Sequence, residues 1–381
     1  MASKLRVGVI FGGRSAEHQV SLVSAASVIN ALDKKKYEVI PIGISPSGKW
    51  LSSPDAVERL KSGKNLATMP VHTLLPDPEV RGLFKLGSRS RPQRPASSGR
   101  AGLDVIFPVL HGTFGEDGTM QGLFELAGIP YVGAGVLGSS VGMDKIITKQ
   151  LCERAGIPVA PYIWFLTKEF RMWQKEIISR IEQQLGYPCF VKPANTGSSV
   201  GISKAHNRKE LLSAVRLASE YDRKILVEKS VEQAREIEVS VLGNDDPEAS
   251  LPGEIISSNE FYDYDAKYVD GKSKAVIPAK LPKSVVSKIR KLAVRTFKTV
   301  ECSGMGRVDF LVTKRSNKIT MNEINTIPGF TSISMYPKMW EASGLSYPRL
   351  LDRLIELALE RFKQRQKLRT VYTPKSKWYN R

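Results

Sequence analysis

Two runs, LRVGVIF at 5–11 and LDVIFPVL at 103–110, continuously apolar once past Arg6 and Asp104, constrain the fold of this chain more than any other feature. A half-exposed strand alternates polar and apolar residues, whereas a continuous apolar strand needs cover on both faces. The first run is followed by Gly12-Gly13 and a helical stretch over 21–32, and a further strand spans 37–44. Strands alternating with helices predict an α/β fold with a parallel sheet layered between helices. Ligands in such sheets sit at the carboxyl ends of the strands. Two polar loops begin there, GGRSAEH at 12–18 and HGTFGEDG at 111–118.

The rest of the 381 residues is too long for one core and predicts two or three domains. A helix over 143–155 is stopped by the prolines of IPVAPY. The apolar segments YPCFVKP and ILVEK follow, with a helix between them over 208–221. Two antiparallel strands, 305–313 and 318–325, are joined by the polar turn KRSN, and a final amphipathic helix runs over 347–363. Breaks near 133 and 227 divide the chain into segments 1–133, 134–227 and 228–364, with a basic tail at 365–381. No apolar run approaches the roughly 18–20 residues of a membrane span. The start, MASKLRVGVIFGG, reads as a first strand rather than a secretory leader. Three scattered cysteines (Cys152, Cys189, Cys302) form neither a disulfide framework nor a metal motif, which predicts a reducing, cytoplasmic setting.

The net charge of +19 is unevenly spread. Residues 81–100 hold six Lys/Arg and no acid, and residues 361–381 hold eight more and no acid, which leaves 43 basic against 38 acidic residues, or +5, elsewhere. The first block is rich in Pro, Ser and Gly, and the second trails the last helix. Neither interleaves aromatics with cations on an ordered face, so solvated basic loops are expected rather than a specific nucleic-acid site.

The strongest chemical signal is MGRVDFLV followed by MNEINTIPG. Residues two apart on a strand share a face. Arg307 and Asp309 therefore project together, as do Glu323 and Asn325 on the partner strand, although Asn322 breaks the alternation. Pairing the strands gathers two carboxylates, an amide oxygen and a guanidinium. These hard oxygens suit Mg²⁺ held with a phosphate, and Arg307 suits a phosphoryl group or an oxyanion. The competing interpretation is an ordinary charged surface.

A second signal is FVKPANTGSSVG, where Lys192 ends a strand and a glycine- and serine-rich loop able to wrap phosphate follows. The loop lacks the GxxxxGK[ST] pattern and also reads as a plain surface turn. Lys145, at a helix start, is a further cation. In the two N-terminal loops, Ser15, Glu17, His18, His111, Glu116 and Asp117 serve equally as helix caps or functional groups. The absence of GxSxG disfavours a serine hydrolase, and that of GxGxxG a dinucleotide-binding dehydrogenase.

Taken together, GGRSAEHQVSL, HGTFGEDGTMQG, GMDK, VKPANTGSSVG, LVEK, REIEVSVLGN, FYDYDAKY, GMGRVDF and NEINTIPGFTSISMYP occur in the order found in the D-alanine–D-alanine ligases of the ATP-grasp superfamily, and the chain resembles that family from about 5 to 362. The resemblance implies three α/β domains, the first Rossmann-like, with ATP between the other two. It implies Mg²⁺ or Mn²⁺, as two ions, on Asp309, Glu323 and Asn325. Lys145 and Lys192 correspond to the phosphate and nucleotide lysines, with Ser199 in the phosphate loop. Glu228, Lys229 and Val231 border adenine, and Glu236 meets the ribose. Glu17 would hold the first D-alanine's ammonium, Ser334 the second substrate's carboxylate, and Ser198 and Tyr268 would close over both. His111 corresponds to a first-domain active-site histidine. Arg307 and the Gly329 N–H would stabilise the oxyanion. The implied reaction joins two D-alanine molecules through an acylphosphate for peptidoglycan precursor synthesis, in a homodimer. A D-alanine–D-lactate ligase is the nearest alternative, and the tyrosine pattern of FYDYDAKY favours the dipeptide. A catalytically silent nucleotide-binding protein would require a broken motif, and none is broken.

Overall fold

The computed structural model describes residues 3–86, 102–256, 274–372 and 374. Six strands form the first sheet: β1 Leu5–Gly12, β2 Tyr37–Ile44, β3 Trp50–Ser52, β4 Val71–Leu74, β5 Leu83–Lys85 and β6 Val105–Val109, in the order β5-β4-β3-β2-β1-β6. The expected parallel core is present, with β1 between β2 and β6. The sheet as a whole is mixed, because β3, β4 and β5 add antiparallel. Only Ser45–Lys49 separates β2 from β3, too short for the crossover of a dozen or more residues that a parallel neighbour requires.

Both faces of this sheet are covered, as the apolar runs require. Val7, Val9 and Phe11 pack with Leu22, Ala25 and Val28 of helix His18–Ala31. Ile10, Ile42 and Ile106 pack with Met120 and Phe124 of helix Thr119–Leu126 on the other side. The first face is completed from far along the chain. The last helix, Tyr347–Gln366, buries Leu350, Leu351, Leu354 and Ile355 in the same core. Asp352 accepts from Tyr37 Oη at 2.8 Å, and Tyr347 Oη meets Ser27 Oγ at 3.0 Å. Arg361 donates to the Gly133 carbonyl, to Ser303 Oγ at 2.6 Å and to the Tyr131 carbonyl at 3.0 Å, and Arg365 pairs with Glu125. Two cations at the start of the second basic block are therefore structural ties rather than a solvated tail.

The second sheet comprises β7 Tyr162–Leu166, β8 Cys189–Pro193, β9 Ser203–Ala205 and β10 Lys224–Lys229, in the order β7-β10-β8-β9. Helices Gln174–Gln184 and Arg208–Ala218 bury one of its faces through Ile177, Ile181, Leu211 and Val215. Position 227, where the sequence suggests a domain break, lies inside β10. The third sheet comprises β11 Ala234–Gly243, β12 Glu248–Ala249, β13 Gly253–Ile256, β14 Lys274–Val276, β15 Gly304–Thr313 and β16 Ile319–Asn325. Its main path is β14-β13-β11-β15-β16. Ile237, Val239, Val308 and Phe310 pack inward on Ile289, Leu292 and Phe297 of helix Lys283–Thr299. The opposite face carries Glu236, Glu238, Arg307, Asp309 and Glu323 at its centre, while Leu242 and Met305 at one end join the first core and Ile255 packs on Met335 and Met339. Cys152, Cys189 and Cys302 are buried and free, and no helix among the described residues is long and apolar enough to cross a membrane.

Candidate active site

Glu238 on β11, Asp309 on β15 and Glu323 on β16 stand opposite one another across three neighbouring strands, and Ser240, Arg307 and Asn325 form the next rung. Cross-strand partners project to one face, so a carboxylate row lies beside a guanidinium. Arg307 grips Asp309 through two bonds, Nε to Oδ1 at 2.8 Å and Nη2 to Oδ2 at 2.6 Å, and reaches Glu238 Oε2 at 3.1 Å. Burial opposes the guanidinium's charge, but Asp309 and Glu238 more than offset it and raise its pKa well above the ordinary value. Asn325 Nδ2 donates to Asp309 Oδ2 at 3.2 Å. The strand register shifts between Asp309 and Phe310: Glu323 pairs with Asp309 and Met321 with Phe310, leaving Asn322 unmatched. This bulge accounts for the broken alternation, since it lets Met321 enter the core while Glu323 faces the polar side.

Facing this row is the polar side of the second sheet. Glu228, nearly inaccessible, is held by Lys149 at one carboxylate oxygen and by Lys192 at the other, the latter at 2.5 Å. Burial alone would raise the Glu228 pKa, but the two ammoniums win and hold it at about 2. Lys192 also donates to Asn322 Oδ1 at 3.2 Å, and Lys149 to the Asn322 carbonyl at 3.4 Å. Burial works against the Lys192 charge, yet Glu228 and Glu323 leave its pKa raised. Helix Lys145–Arg154 supplies the remaining cation. Asp144 caps it, accepting from the N–H groups of Ile146 and Ile147 at 3.0 and 3.1 Å. Lys145 then turns inward rather than to solvent, donating to the Thr196 carbonyl at 2.6 Å and lying 3.8 Å from Glu323. Its pKa is pulled down by burial, with Glu323 opposing.

Loops close the other end. Ser198 Oγ donates to Glu17, whose second carboxylate oxygen fills the space that a side chain at Gly197 would need and lies 2.7 Å from the Cβ position of Gly112. Glycine at both positions lets two loops pinch one carboxylate. Ser198 and Ser199 adopt positive φ of 46° and 59°, an uncommon backbone that the packing must hold in place. His111 is buried, and its Nδ1 donates to the Ile327 carbonyl at 3.0 Å. Burial lowers its pKa, so the ring is neutral at pH 7 and Nε2 accepts from Ser24 Oγ at 3.3 Å. Ser24 in turn accepts from the Phe330 N–H at 3.3 Å. His111 thus steadies the 327–330 segment that carries Gly329. Ser334 immediately precedes helix Met335–Ala342 without capping it through its side chain; its Oγ instead accepts from the Thr331 N–H at 2.9 Å and lies 2.7 Å from the Cβ position of Gly329.

Two adjoining cavities result. A smaller one, about 110 Å³, touches Glu17, His111, Lys145, Ser198, Gly329 and Ser334. A larger one, about 380 Å³, lies between the second and third sheets and touches Lys192, Glu228, Lys229, Val231, Glu236 and Asp309. Ser199, Glu238, Arg307 and Glu323 line both. Every residue to which the family resemblance gives a role therefore borders one of these cavities except Tyr268, which lies outside the described residues, with Asn325 on the smaller one; Ser15, His18 and Asp117 border neither. Two buried groups of the site lie outside the sequence reading. Glu238 follows the same two-residue alternation in REIEVSV, and Lys149 lies one helical turn from Lys145, so both had a readable signal. Glu116, which the sequence leaves open between a cap and a functional group, borders the smaller cavity; burial first, then Glu17, raise its carboxyl well above the usual range. Among the described residues, no three His, Cys, Asp or Glu side chains form a ready metal nest.

Residues 6–134 match the family described as D-ala D-ala ligase N-terminus, and residues 151–356 match D-ala D-ala ligase C-terminus. A D-alanine--D-alanine ligase of Natranaerobius thermophilus is 53% identical, covering 97% of this chain and 99% of its own length. One from Acetivibrio thermocellus is 49% identical, with 95% and 98% covered. Among solved structures, the D-alanine-D-alanine ligase from Coxiella burnetii aligns with a TM-score of 0.79 at 39% identity, covering 96% of this chain and 98% of its own. The VanG D-Ala:D-Ser ligase from Enterococcus faecalis aligns at 0.82 and 38% identity, covering 93% and 100%.

Proposed function

The chain belongs to the D-alanine–D-alanine ligase family, and on that premise we propose that its two adjoining cavities serve the two halves of one ligation. The enzyme is an ATP-dependent ligase of the ATP-grasp fold that joins two D-alanine molecules. The observation that carries the division of labour is the set of four residues lining both cavities, which makes a common wall where a phosphoryl group can pass from nucleotide to amino acid.

In this reading ATP occupies the larger cavity, with its adenine beside Glu228, Lys229 and Val231 and its ribose beside Glu236. Lys145 and Lys192 bind its phosphates. The first D-alanine occupies the smaller cavity, its ammonium on Glu17. Its carboxylate attacks the γ-phosphorus, the bond to ADP breaks, and an acylphosphate forms. The second D-alanine, its carboxylate on Ser334, attacks the acyl carbon through its neutral amine. Phosphate leaves and the amine loses a proton. Arg307 and the Gly329 N–H are positioned for the oxyanion of this step. Ser198 and Tyr268 shield the acylphosphate from water. His111, neutral and bonded at both ring nitrogens, orients the Gly329 segment.

The family uses a divalent metal, and we assign it to Asp309, Glu323 and Asn325 as Mg²⁺ or Mn²⁺, two ions in all. The donors fit: hard oxygens face one another across two strands. Binding there would require Asp309 to exchange one of its Arg307 bonds and Asn325 to present its amide oxygen. When bound, the metal offsets repulsion between the reacting anions. A homodimer acting in the cytoplasm completes the proposal. D-alanine-dependent phosphate release, with products separated after incubation with D-alanine, D-serine and D-lactate, tests it. D-alanyl-D-alanine is expected to dominate at neutral pH, and a predominantly depsipeptide product would overturn the substrate assignment.

A further inference from the structure

Glu228 is the most deeply buried acid of the larger cavity's lining, and it is flanked by two lysines of unlike position. Lys192 lines the cavity, whereas Lys149 stands behind Glu228 and lines neither cavity. Their side chains are 11% and 2% exposed. Each takes one carboxylate oxygen of Glu228, and each takes one oxygen of Asn322, the unmatched residue of the β16 bulge. Four separate elements thus meet at one point: β8, β10, β16 and helix Lys145–Arg154. The cluster carries two positive charges against one negative. It is complete without its second cation, since one ammonium suffices to neutralise Glu228.

We propose that Lys149 is the permanent counter-ion of Glu228, and that its presence frees Lys192 to leave Glu228 for the phosphates of the incoming nucleotide. The inference rests on the reading that ATP enters the larger cavity. Without Lys149, Lys192 would be the sole partner of a buried carboxylate. Moving it to phosphate would then strand that carboxylate unpaired, a costly state in a poorly solvated site. Nucleotide binding would bear that cost, and the amino-acid cavity would not. Lys149 is therefore a positioning residue, acting on ATP only through Glu228. The bulge at Asn322 supports the arrangement by offering Lys192 a neutral acceptor on the way, and it ties the nucleotide floor to the strand carrying Glu323.

The test compares the full-length enzyme with K149M, E228Q and K149M/E228Q, measuring the KM for ATP and for D-alanine separately. The wild type must ligate D-alanine with ATP; if it does not, the functional reading fails before this inference is reached. K149M is expected to raise the ATP KM by about ten- to hundredfold while moving the D-alanine KM by less than about threefold. Because Glu228 also borders adenine, the double variant is read against E228Q: with the charge that needs a partner gone, K149M should change the ATP KM by less than about threefold on that background. An unchanged ATP KM in K149M overturns the proposal. So does an equal rise in both constants, or a K149M effect as large on the E228Q background as in wild type. If K149M does not fold, recovery of a folded, ATP-using protein by E228Q supports the counter-ion role, and failure of both variants to fold overturns it.

Discussion

In the larger cavity the decisive side chains stand on paired strands, Glu238 opposite Asp309 opposite Glu323, with a register that fixes their spacing. In the smaller cavity they hang from loops that meet only in the folded molecule: Glu17 after β1, Ser198 after β8, and Gly329 and Ser334 after β16. The strand-built wall is held by hydrogen-bonded ladders and a bidentate ion pair. The loop-built wall is held by close approach, with glycine where a Cβ would collide with Glu17 or Ser334. The two regions should therefore fail differently, one by loss of charge and the other by loss of fit.

Glu323 belongs to both regions and should break the distinction. Glu323→Gln keeps the shape and removes the charge, and kcat should fall by about 10²–10³ with the fold intact. Near-normal turnover in a folded variant, judged by steady-state kinetics beside circular dichroism, would remove Glu323 from the proposed metal site. Gly197→Ala should sharpen the distinction instead. Its methyl would displace Glu17, raising the D-alanine KM by about tenfold while leaving the ATP KM near wild type; a tenfold change is only about 1.4 kcal/mol, modest for such a collision. A parallel rise in both constants would show that the loops and strands are not separable.

Stability against acid isolates the strand side. The Glu228 pKa is lowered from 4.5 to about 2 in the folded protein. The unfolded chain therefore takes up the proton first as pH falls, and stability present above about 4.5 is lost progressively down to about 2. Urea denaturation at several pH values should show a shallower decline in this window for Glu228→Gln than for wild type; identical slopes would contradict the buried ion cluster. The smallest effect is expected furthest from both cavities. Deleting 367–381, beyond the Arg365–Glu125 pair and the end of the helix, should leave turnover unchanged within twofold and reduce retention on a polyanion column at low salt. A larger loss of turnover without unfolding would make the tail part of the enzyme.

The same contrast governs how much could be read from the chain. The hairpin of Arg307, Asp309, Glu323 and Asn325 was legible because strand periodicity converts spacing into direction, and only the Asn322 bulge had to come from the structure. The continuous apolar runs correctly foretold a sheet buried on both faces, but the antiparallel β3–β5 addition depends on a short connection whose consequence the pattern does not display. The loop residues were individually ambiguous, since Ser15, Glu17 and His111 in a turn look like capping chemistry until another loop arrives beside them. Lys145 reads from the sequence only as a cation at a helix start, because its inward turn depends on Thr196 and Glu323, each more than 50 positions away. Arg361 and Arg365 looked like the beginning of a loose tail for a similar reason: their acceptors at 125, 131, 133 and 303 cannot be guessed from neighbours in sequence.

The return of helix Tyr347–Gln366 to the first sheet imposes an order on how this molecule can be made. Val7, Val9, Phe11 and Val105 are synthesised early, yet one flank of their cover is the last helix among the described residues to leave the ribosome. At about 5–20 residues per second, the interval between residue 133 and residue 366 is roughly ten to fifty seconds. During that time an apolar surface meant for Leu350, Leu351 and Leu354 has no partner of its own. The nascent N-terminal sheet is thus a natural client for chaperones, and fragments ending before 347 should be aggregation-prone even though they contain every described strand. The final helix acts as a closing stitch: the first part of the protein to be made cannot be finished until the last part arrives.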